Sequence, residues 1–171
     1  MPKRIAFIVI FITLLSGCAT VPPENSGIWV AGISESLTRY YIPATTWQEE
    51  KNRLVTSRID ITYVDEPERP AVCNISFFNN TTPENIDRLF FTADGLTYPL
   101  DDVKIMFVRI ERKEIRITST MTIEKLLTIF QAEKITLNAA IDSIEYVFIP
   151  DREFIQFKNQ FNELLSPYQT N

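Results

Sequence analysis

The sequence feature that most constrains the fold is a repeated alternation of apolar and polar residues. Ile59, Ile61 and Tyr63 alternate with polar side chains in residues 58–64, and the same pattern recurs in residues 71–78. A period of two places every second side chain on the same face of a strand, so one face of each strand is buried. A short turn rich in Pro and Glu separates the two stretches, which favours antiparallel pairing.

Further hairpins are predicted in the second half of the chain. Asp94-Gly95 is a strong signal for a tight turn, because such a turn requires positive φ angles. Residues 103–109 and 114–118 predict another strand pair around the charged turn 111–113. Alternating charges in that turn are typical of a solvated turn or a protected sheet edge, with a docking role as the alternative.

Helical periodicity appears in two places. Apolar residues recur on one helical face after Thr122, which can cap a helix, and again after Asp151. Between these helices, residues 135–139 and 144–149 predict a strand pair turned through Asp142-Ser143.

Two shorter helices are also predicted. One begins near Thr46, where Glu49 completes a capping-box pattern, and the other comprises one or two turns from Thr82-Pro83. The fold class is therefore α+β: an antiparallel sheet of about six to eight strands in hairpins, with two amphipathic helices on one face near residues 122–131 and 151–165.

The N-terminal segment has the organisation of a signal peptide. Lys3 and Arg4 precede an apolar run over residues 5–15, which contains one polar residue, Thr13, and small residues follow it. A membrane-spanning helix needs about 20 apolar residues, so this run is too short to span a bilayer. We therefore expect the segment to be removed by a signal peptidase.

The residues that end this segment, Leu15-Ser16-Gly17-Cys18, resemble the lipobox of bacterial lipoproteins. The resemblance implies cleavage between Gly17 and Cys18 and acylation of Cys18, with palmitate or similar chains. Ala19 follows the cysteine where an aspartate would favour inner-membrane retention, which implies the outer membrane and its periplasmic face. The alternative is a signal peptide cut elsewhere, which would leave Cys18 as an ordinary thiol.

This resemblance implies a signal peptide over residues 1–17 and a lipidated tether over 18–27. The length of the remaining chain and its many large apolar residues predict one globular domain over 28–171. The stretch 94–165 is also loosely similar to domains of uncharacterised envelope lipoproteins, in which a Gly-Leu-Thr-Tyr-like hairpin precedes a helix, two strands and a terminal helix. That similarity carries no functional residues.

Charge restricts the partners of such a chain. After cleavage before Cys18 it would carry fifteen basic and twenty-two acidic residues, a net charge of −7. This balance argues against nucleic acid, whose phosphates attract basic surfaces. It also argues against electrostatic adhesion to anionic lipid, so attachment to the membrane would depend on the acyl chains.

Few catalytic groups are present. The chain contains no histidine, which excludes Ser-His-Asp and Cys-His catalysis and His-ligated metal sites. Cys73, the second cysteine, lies on the apolar side of its strand and is expected in the core. Asp94, Asp101 and Asp102 are candidates for calcium binding or acid-base chemistry, although a solvated loop is the simpler interpretation. We expect no cofactor and no metal.

An unusual number of aromatic residues precedes the alternating strands. Trp29, Tyr40, Tyr41 and Trp47 either pack in the core or form a patch that binds a partner. The sequence thus favours a non-enzymatic envelope protein that binds another envelope component in assembly, secretion or exclusion. A lipid or peptide carrier with an apolar cavity is the alternative, and a carboxylate-dependent hydrolase is the third hypothesis.

Overall fold

The computed structural model describes residues 27–34, 37–66, 68–82 and 84–165, which form ten strands and two α-helices. The strands are β1 (Trp29–Ser34), β2 (Leu37–Glu49), β3 (Thr56–Val64), β4 (Ala71–Phe78), β5 (Ile86–Ala93), β6 (Leu96–Pro99), β7 (Asp101–Arg109), β8 (Glu114–Met121), β9 (Ile135–Ile141) and β10 (Ile144–Pro150). The helices are α1 (Ile123–Gln131) and α2 (Arg152–Leu165), and a 3-10 turn (Ile110–Arg112) follows β7.

All ten strands join one antiparallel sheet. Nine of them follow the order β6-β5-β9-β10-β2-β3-β4-β8-β7, and β1 pairs with β2 beside this path. The long strand β2 has two partners on the same side: Tyr41 pairs with Trp29 of β1, and Trp47 pairs with Pro150 of β10. Strands β6 and β7 lie at opposite ends of this order, yet only Leu100 separates them in sequence. The sheet therefore curls until its two ends meet at this residue, which gives a nearly closed shape.

The inner face of the curled sheet and the two helices share one hydrophobic core. Alternate side chains of β3 and β4 point into it, as the period-two pattern predicts. These side chains are Ser57, Ile59, Ile61, Tyr63, Ala71, Cys73, Ile75 and Phe77, which are all buried. Helix α2 runs along the inner face of β2, because Phe154 contacts Trp47 at one end and Phe161 contacts Tyr40 at the other.

Helix α2 also completes the C-terminal end of α1. The last carbonyl groups of a helix have no partner within it and need donors from elsewhere. Asn162 Nδ2 donates to the Phe130 carbonyl at 2.7 Å, and the buried Lys158 ammonium donates to the Ala132 carbonyl. These two bonds fix the helices to each other inside the sheet.

Several predicted turns and caps are confirmed. Asp94 and Gly95 join β5 to β6 with φ angles of 48° and 83°. Thr122 caps α1 by accepting a hydrogen bond from the Lys125 amide, and Asp151 Oδ1 accepts one from the Phe154 amide at 2.9 Å. The hairpins β7-β8 and β9-β10 also form where the alternation predicts them.

The α+β class is confirmed in outline, but the prediction of six to eight strands was too low. The helices also do not lie over a flat sheet, because the sheet curls around them. The short helix near Thr46 was wrong, since Trp47 and Glu49 belong to β2. The helical turns after Thr82 were also wrong: Glu84 and Asn85 are irregular and β5 begins at Ile86, while Pro83 lies outside the described residues.

The strand registers define two ends of the sheet. At the end that we call the tether end, Trp29 pairs with Tyr41, and Tyr41 pairs with Thr62. At the other end, the turn end, Thr56 pairs with Phe78. Thr56 and Thr62 are six residues apart on β3, so the two levels are separated by about 20 Å along the strands.

Candidate functional site

The four aromatic residues predicted as a binding patch are divided between the two faces of the sheet. Tyr40 is buried and stacks on Tyr63 with ring centroids 5.5 Å apart. Trp47 is 0% exposed, and its Nε1 donates to Thr45 Oγ1 at 3.2 Å. Trp29 and Tyr41 lie on the outer face, since neighbouring side chains of a strand point to opposite faces. The structure therefore brings together only Trp29 and Tyr41.

The outer pair forms a small cluster with Arg39 at the tether end. Trp29 is 40% exposed and makes an edge-to-face contact with Tyr41, with ring centroids 6.3 Å apart. Arg39 Nη1 donates to the Tyr41 hydroxyl at 2.9 Å, and its guanidinium lies 5.7 Å from the centre of that ring. We call Trp29, Arg39 and Tyr41 the aromatic cluster.

A cleft of about 420 Å³ lies where the described chain begins. It is lined by Gly27, Ile28, Gln160, Glu163 and Leu164, so it separates the first described residues from the last turns of α2. Gly27, the first described residue, therefore lies near the C-terminal end of this helix. Leu164 is 41% exposed, which adds apolar surface at the tether end.

A second surface, which the sequence did not single out, is the edge strand β7. Both faces of this strand are largely exposed, in contrast with the alternating burial of its neighbour β8. Four of its large apolar side chains, and the one that follows the strand, are 38–72% exposed: Val103, Ile105, Met106, Val108 and Ile110. We call these five residues the β7 patch, and large apolar side chains exposed together on one strand commonly mark an interaction site.

Two irregularities shape the β7 patch. The register with β8 shifts between Asp101 and Lys104 and again between Ile105 and Phe107. Such bulges redirect side chains and protect an edge from uncontrolled strand pairing. Met106 lies within the second shift and is 55% exposed. The irregular pairing thus leaves apolar side chains exposed on an edge that is poorly suited to pairing with another strand.

Basic side chains surround the β7 patch. Residues 103–113 contain four basic residues and one acidic residue, although the whole chain has a net charge of −5. Arg109 lies 4.3 Å from the centre of the Phe107 ring and 3.5 Å from the Glu114 carboxylate. Lys104, Arg112 and Lys113 are exposed. The stretch 103–113 is therefore positively charged on an acidic protein, whereas Asp101 and Asp102 at the start of β7 and Glu114 after the turn are acidic.

A polar network occupies the outer face of β3, β4 and β8. Arg116 donates to Asp60 Oδ2 at 2.7 Å and to Ser76 Oγ at 3.0 Å. Asn74 Nδ2 donates to the other carboxylate oxygen of Asp60 at 2.8 Å. The charged groups of this network satisfy one another across three strands, which is the arrangement expected of a sheet-stabilising cluster.

The three aspartates considered for metal or acid-base chemistry have separate structural partners. Asp94 accepts hydrogen bonds from the backbone amides of Lys134 and Glu133, and these bonds lower the pKa of its carboxyl group. Asp101 lies 2.9 Å from the Lys125 ammonium, and Asp102 Oδ2 accepts from Thr120 Oγ1 at 3.4 Å. Within residues 27–34, 37–66, 68–82 and 84–165, no group of three acidic or thiol side chains is placed to hold a metal ion.

The structure describes one of the two cysteines, Cys73, and Cys18 lies outside the described residues. Cys73 is a free, fully buried thiol, as its strand pattern predicts, and burial raises its pKa. A thiol in this environment stays protonated and unreactive. Cys18 and Gly17, together with the proposed signal peptide and the tether up to residue 26, lie outside the described residues. In the part of the chain that is described, no helix has the length and apolar character needed to cross a membrane.

No protein-family model matches this sequence, and no curated protein or solved structure is significantly similar to it.

Proposed function

We propose that this chain is a lipid-anchored protein of the bacterial envelope that binds a partner protein without catalysing a reaction. The anchor is Cys18, acylated after removal of residues 1–17, and the favoured location is the periplasmic face of the outer membrane. The lipobox-like residues support this assignment. The same assignment explains why the chain combines a short apolar leader with a compact, acidic domain.

The observation that carries the binding role is the β7 patch. Five large apolar side chains lie exposed on one edge strand and the turn that follows it. Four basic residues lie among or next to them. We propose that the partner is an acidic protein segment with apolar side chains, because such a segment matches the patch in both hydrophobicity and charge.

The end of the patch that contains Ile110 suits an anchored protein. The 3-10 turn Ile110–Arg112 extends beyond the turn end of the sheet, whereas the chain enters from the tether end. A partner at Ile110 would therefore bind at the end of the domain that is remote from the attachment point. We favour this role over the carrier hypothesis, because large side chains such as Phe77, Phe130 and Trp47 fill the interior.

Site-specific photocrosslinking in the envelope tests this proposal. A photoreactive residue at Met106 is expected to give one discrete crosslinked product. The same residue at Leu54, which is 80% exposed in the loop between β2 and β3, serves as the control and is expected to give none. Failure to obtain a product at Met106, or the same product at both positions, would contradict the proposed docking surface.

Charge reversal tests the chemistry of the partner. Lys104→Glu together with Arg112→Glu should abolish the Met106 product if the partner is acidic. The matched control is Lys51→Glu with Arg53→Glu, which reverses two exposed basic residues outside β7 and should leave the product intact. If the β7 reversal has no effect, the partner is not an acidic segment.

A further inference from the structure

The aromatic cluster at the tether end has a composition that differs from that of the β7 patch. It combines an exposed indole, a partly buried phenol and a guanidinium on one face of the sheet. Tryptophan and tyrosine prefer the boundary between hydrocarbon and water, since each has an apolar ring and a polar group. Arginine reaches toward phosphate groups from the same depth, while its stem lies against apolar surface.

The length of the preceding chain limits where this cluster can be. Nine residues, 18–26, lie between the proposed lipid attachment and Gly27. Fully extended, they span at most about 30 Å, and the Pro22-Pro23 pair restricts their conformations. Trp29 lies only two residues beyond Gly27. Trp29 of the aromatic cluster is therefore among the first described residues after the proposed lipid attachment.

We propose that the aromatic cluster, Trp29 with Arg39 and Tyr41, contacts the lipid surface to which the chain is anchored and fixes the orientation of the domain. This inference rests on the proposed lipid anchor but is independent of the β7 patch. The ligand is the interfacial region of a phospholipid bilayer. The driving force is burial of the exposed part of Trp29, together with hydrogen bonding of Arg39 to lipid phosphate.

The orientation that follows places the Ile110 end of the β7 patch away from the bilayer. With the aromatic cluster against the bilayer, the strands lead away from it toward the turn end. From Tyr41 to Glu49, at the start of the loop that contains Leu54, β2 rises about 25 Å. The 3-10 turn after β7 then projects away from the membrane, where a partner protein can reach it.

Tryptophan fluorescence provides a direct test, because the chain has only two tryptophans. Trp29 is exposed, whereas Trp47 is 0% exposed and protected by the core. The acylated, full-length protein is reconstituted into vesicles of phosphatidylethanolamine and phosphatidylglycerol, with or without phospholipid that carries brominated acyl chains. Bromine quenches indoles that lie in contact with the lipid. The Trp29→Phe variant reports Trp47 alone, so subtraction gives the signal of Trp29.

We expect Trp29 to lose most of its emission in brominated vesicles and Trp47 to lose almost none. The matched control moves the exposed indole to the turn end, by combining Leu54→Trp with Trp29→Phe. This reporter has the same tether and should keep its emission. Equal quenching at positions 29 and 54, or no quenching at 29, would overturn the inference.

Flotation with the same vesicles separates this inference from the anchor itself. If the wild-type protein floats and Trp29 is not quenched, the membrane-contact inference fails while the lipid anchor stands. If the wild-type protein purified from the envelope does not float, the anchor fails and the inference fails with it. Cys18→Ala should prevent flotation, because a single interfacial cluster is a far weaker attachment than two or three acyl chains.

Discussion

Replacing each of the two tryptophans by alanine should have very different effects on the free energy of unfolding. Trp47 is fully buried, with its ring centroid 4.6 Å from that of Phe154 and 5.9 Å from that of Phe91. Removing a buried tryptophan typically costs about 3–5 kcal/mol through lost burial and the cavity left behind. Among the described residues, Trp29 has one aromatic contact, with Tyr41, and its removal should cost less than about 1 kcal/mol.

The size of the Trp47 effect follows from its place between the sheet and α2. The ring joins β2 to Phe154 of the helix and to Phe91 of β5, so Trp47→Ala loosens three elements at once. Folded domains have total stabilities of about 5–15 kcal/mol, which makes this loss a large fraction of the whole. With a urea dependence of about 2 kcal/mol per molar, a loss of 4 kcal/mol lowers the unfolding midpoint by about 2 M.

Urea unfolding followed by far-ultraviolet circular dichroism measures both variants without relying on tryptophan emission. Trp47→Ala should move the midpoint strongly, or leave the protein unfolded, and Trp29→Ala should leave it nearly unchanged. Similar shifts for the two variants, or a Trp47→Ala cost below about 1 kcal/mol, would refute the division of these residues between core and surface.

Two further predictions concern ionisable groups. Cys73 should resist thiol reagents in the native protein and react only on unfolding, because it is fully buried and its pKa is raised; rapid labelling without denaturant would contradict this. Asp94 has a lowered pKa in the folded state, so its contribution to stability is present above its ordinary value of 3.8 and is lost as the pH falls through the lowered value. Asp94→Asn should therefore lower the urea midpoint at neutral pH, and the difference in midpoint between variant and wild type should disappear at acidic pH. A difference in midpoint that is independent of pH would show that the charge of Asp94 does not contribute.

Local signals explain the parts of the fold that the sequence predicts. The tight turn between β5 and β6 needs positive φ angles at both central positions, and Asp94 and Gly95 can adopt them. Two residues therefore specify this hairpin. Thr122 and Asp151 accept hydrogen bonds from amides three residues ahead, which depends only on neighbouring chain. Cys73 lies in a stretch where apolar and polar residues alternate, so the sequence also predicts its burial.

Long-range contacts explain the errors. In β2 the register shifts between Ile42 and Thr45, which interrupts the alternation and hides a 13-residue strand. Glu49, interpreted as part of a capping box, instead accepts hydrogen bonds from the Lys51 and Asn52 amides in the following turn. A glutamate carboxylate can accept hydrogen bonds from nearby amides both at the start of a helix and in a turn after a strand. The capping-box motif alone therefore cannot distinguish a helix from a strand and turn.

The segment after Thr82 shows the same limitation. Glu84 and Asn85 donate their amides to the Asp142 carboxylate, which lies 57 or more residues away in sequence. A contact of that range replaces the local helix that Thr82-Pro83 predicts. The residues around Thr82 give no information about this contact with Asp142.

The candidate site was only partly predictable for a similar reason. Trp29 and Tyr41 could be proposed as surface aromatics, but nothing local distinguishes them from Tyr40, the neighbour that points inward. The alternation in β7 predicts a strand with one buried face. Its exposure on both faces follows from its place at the end of the sheet order, which depends on pairings throughout the chain.

The mass of the intact protein extracted from the envelope tests the central claim most directly. The account predicts a chain that begins at Cys18 and carries a diacylglyceryl group, with an additional amide-linked acyl chain in a host that performs that step. Cys18→Ala should give either the uncleaved precursor or a form that leaves the membrane fraction. A wild-type chain that retains residues 1–17, or one that begins elsewhere and carries no lipid, would contradict the account.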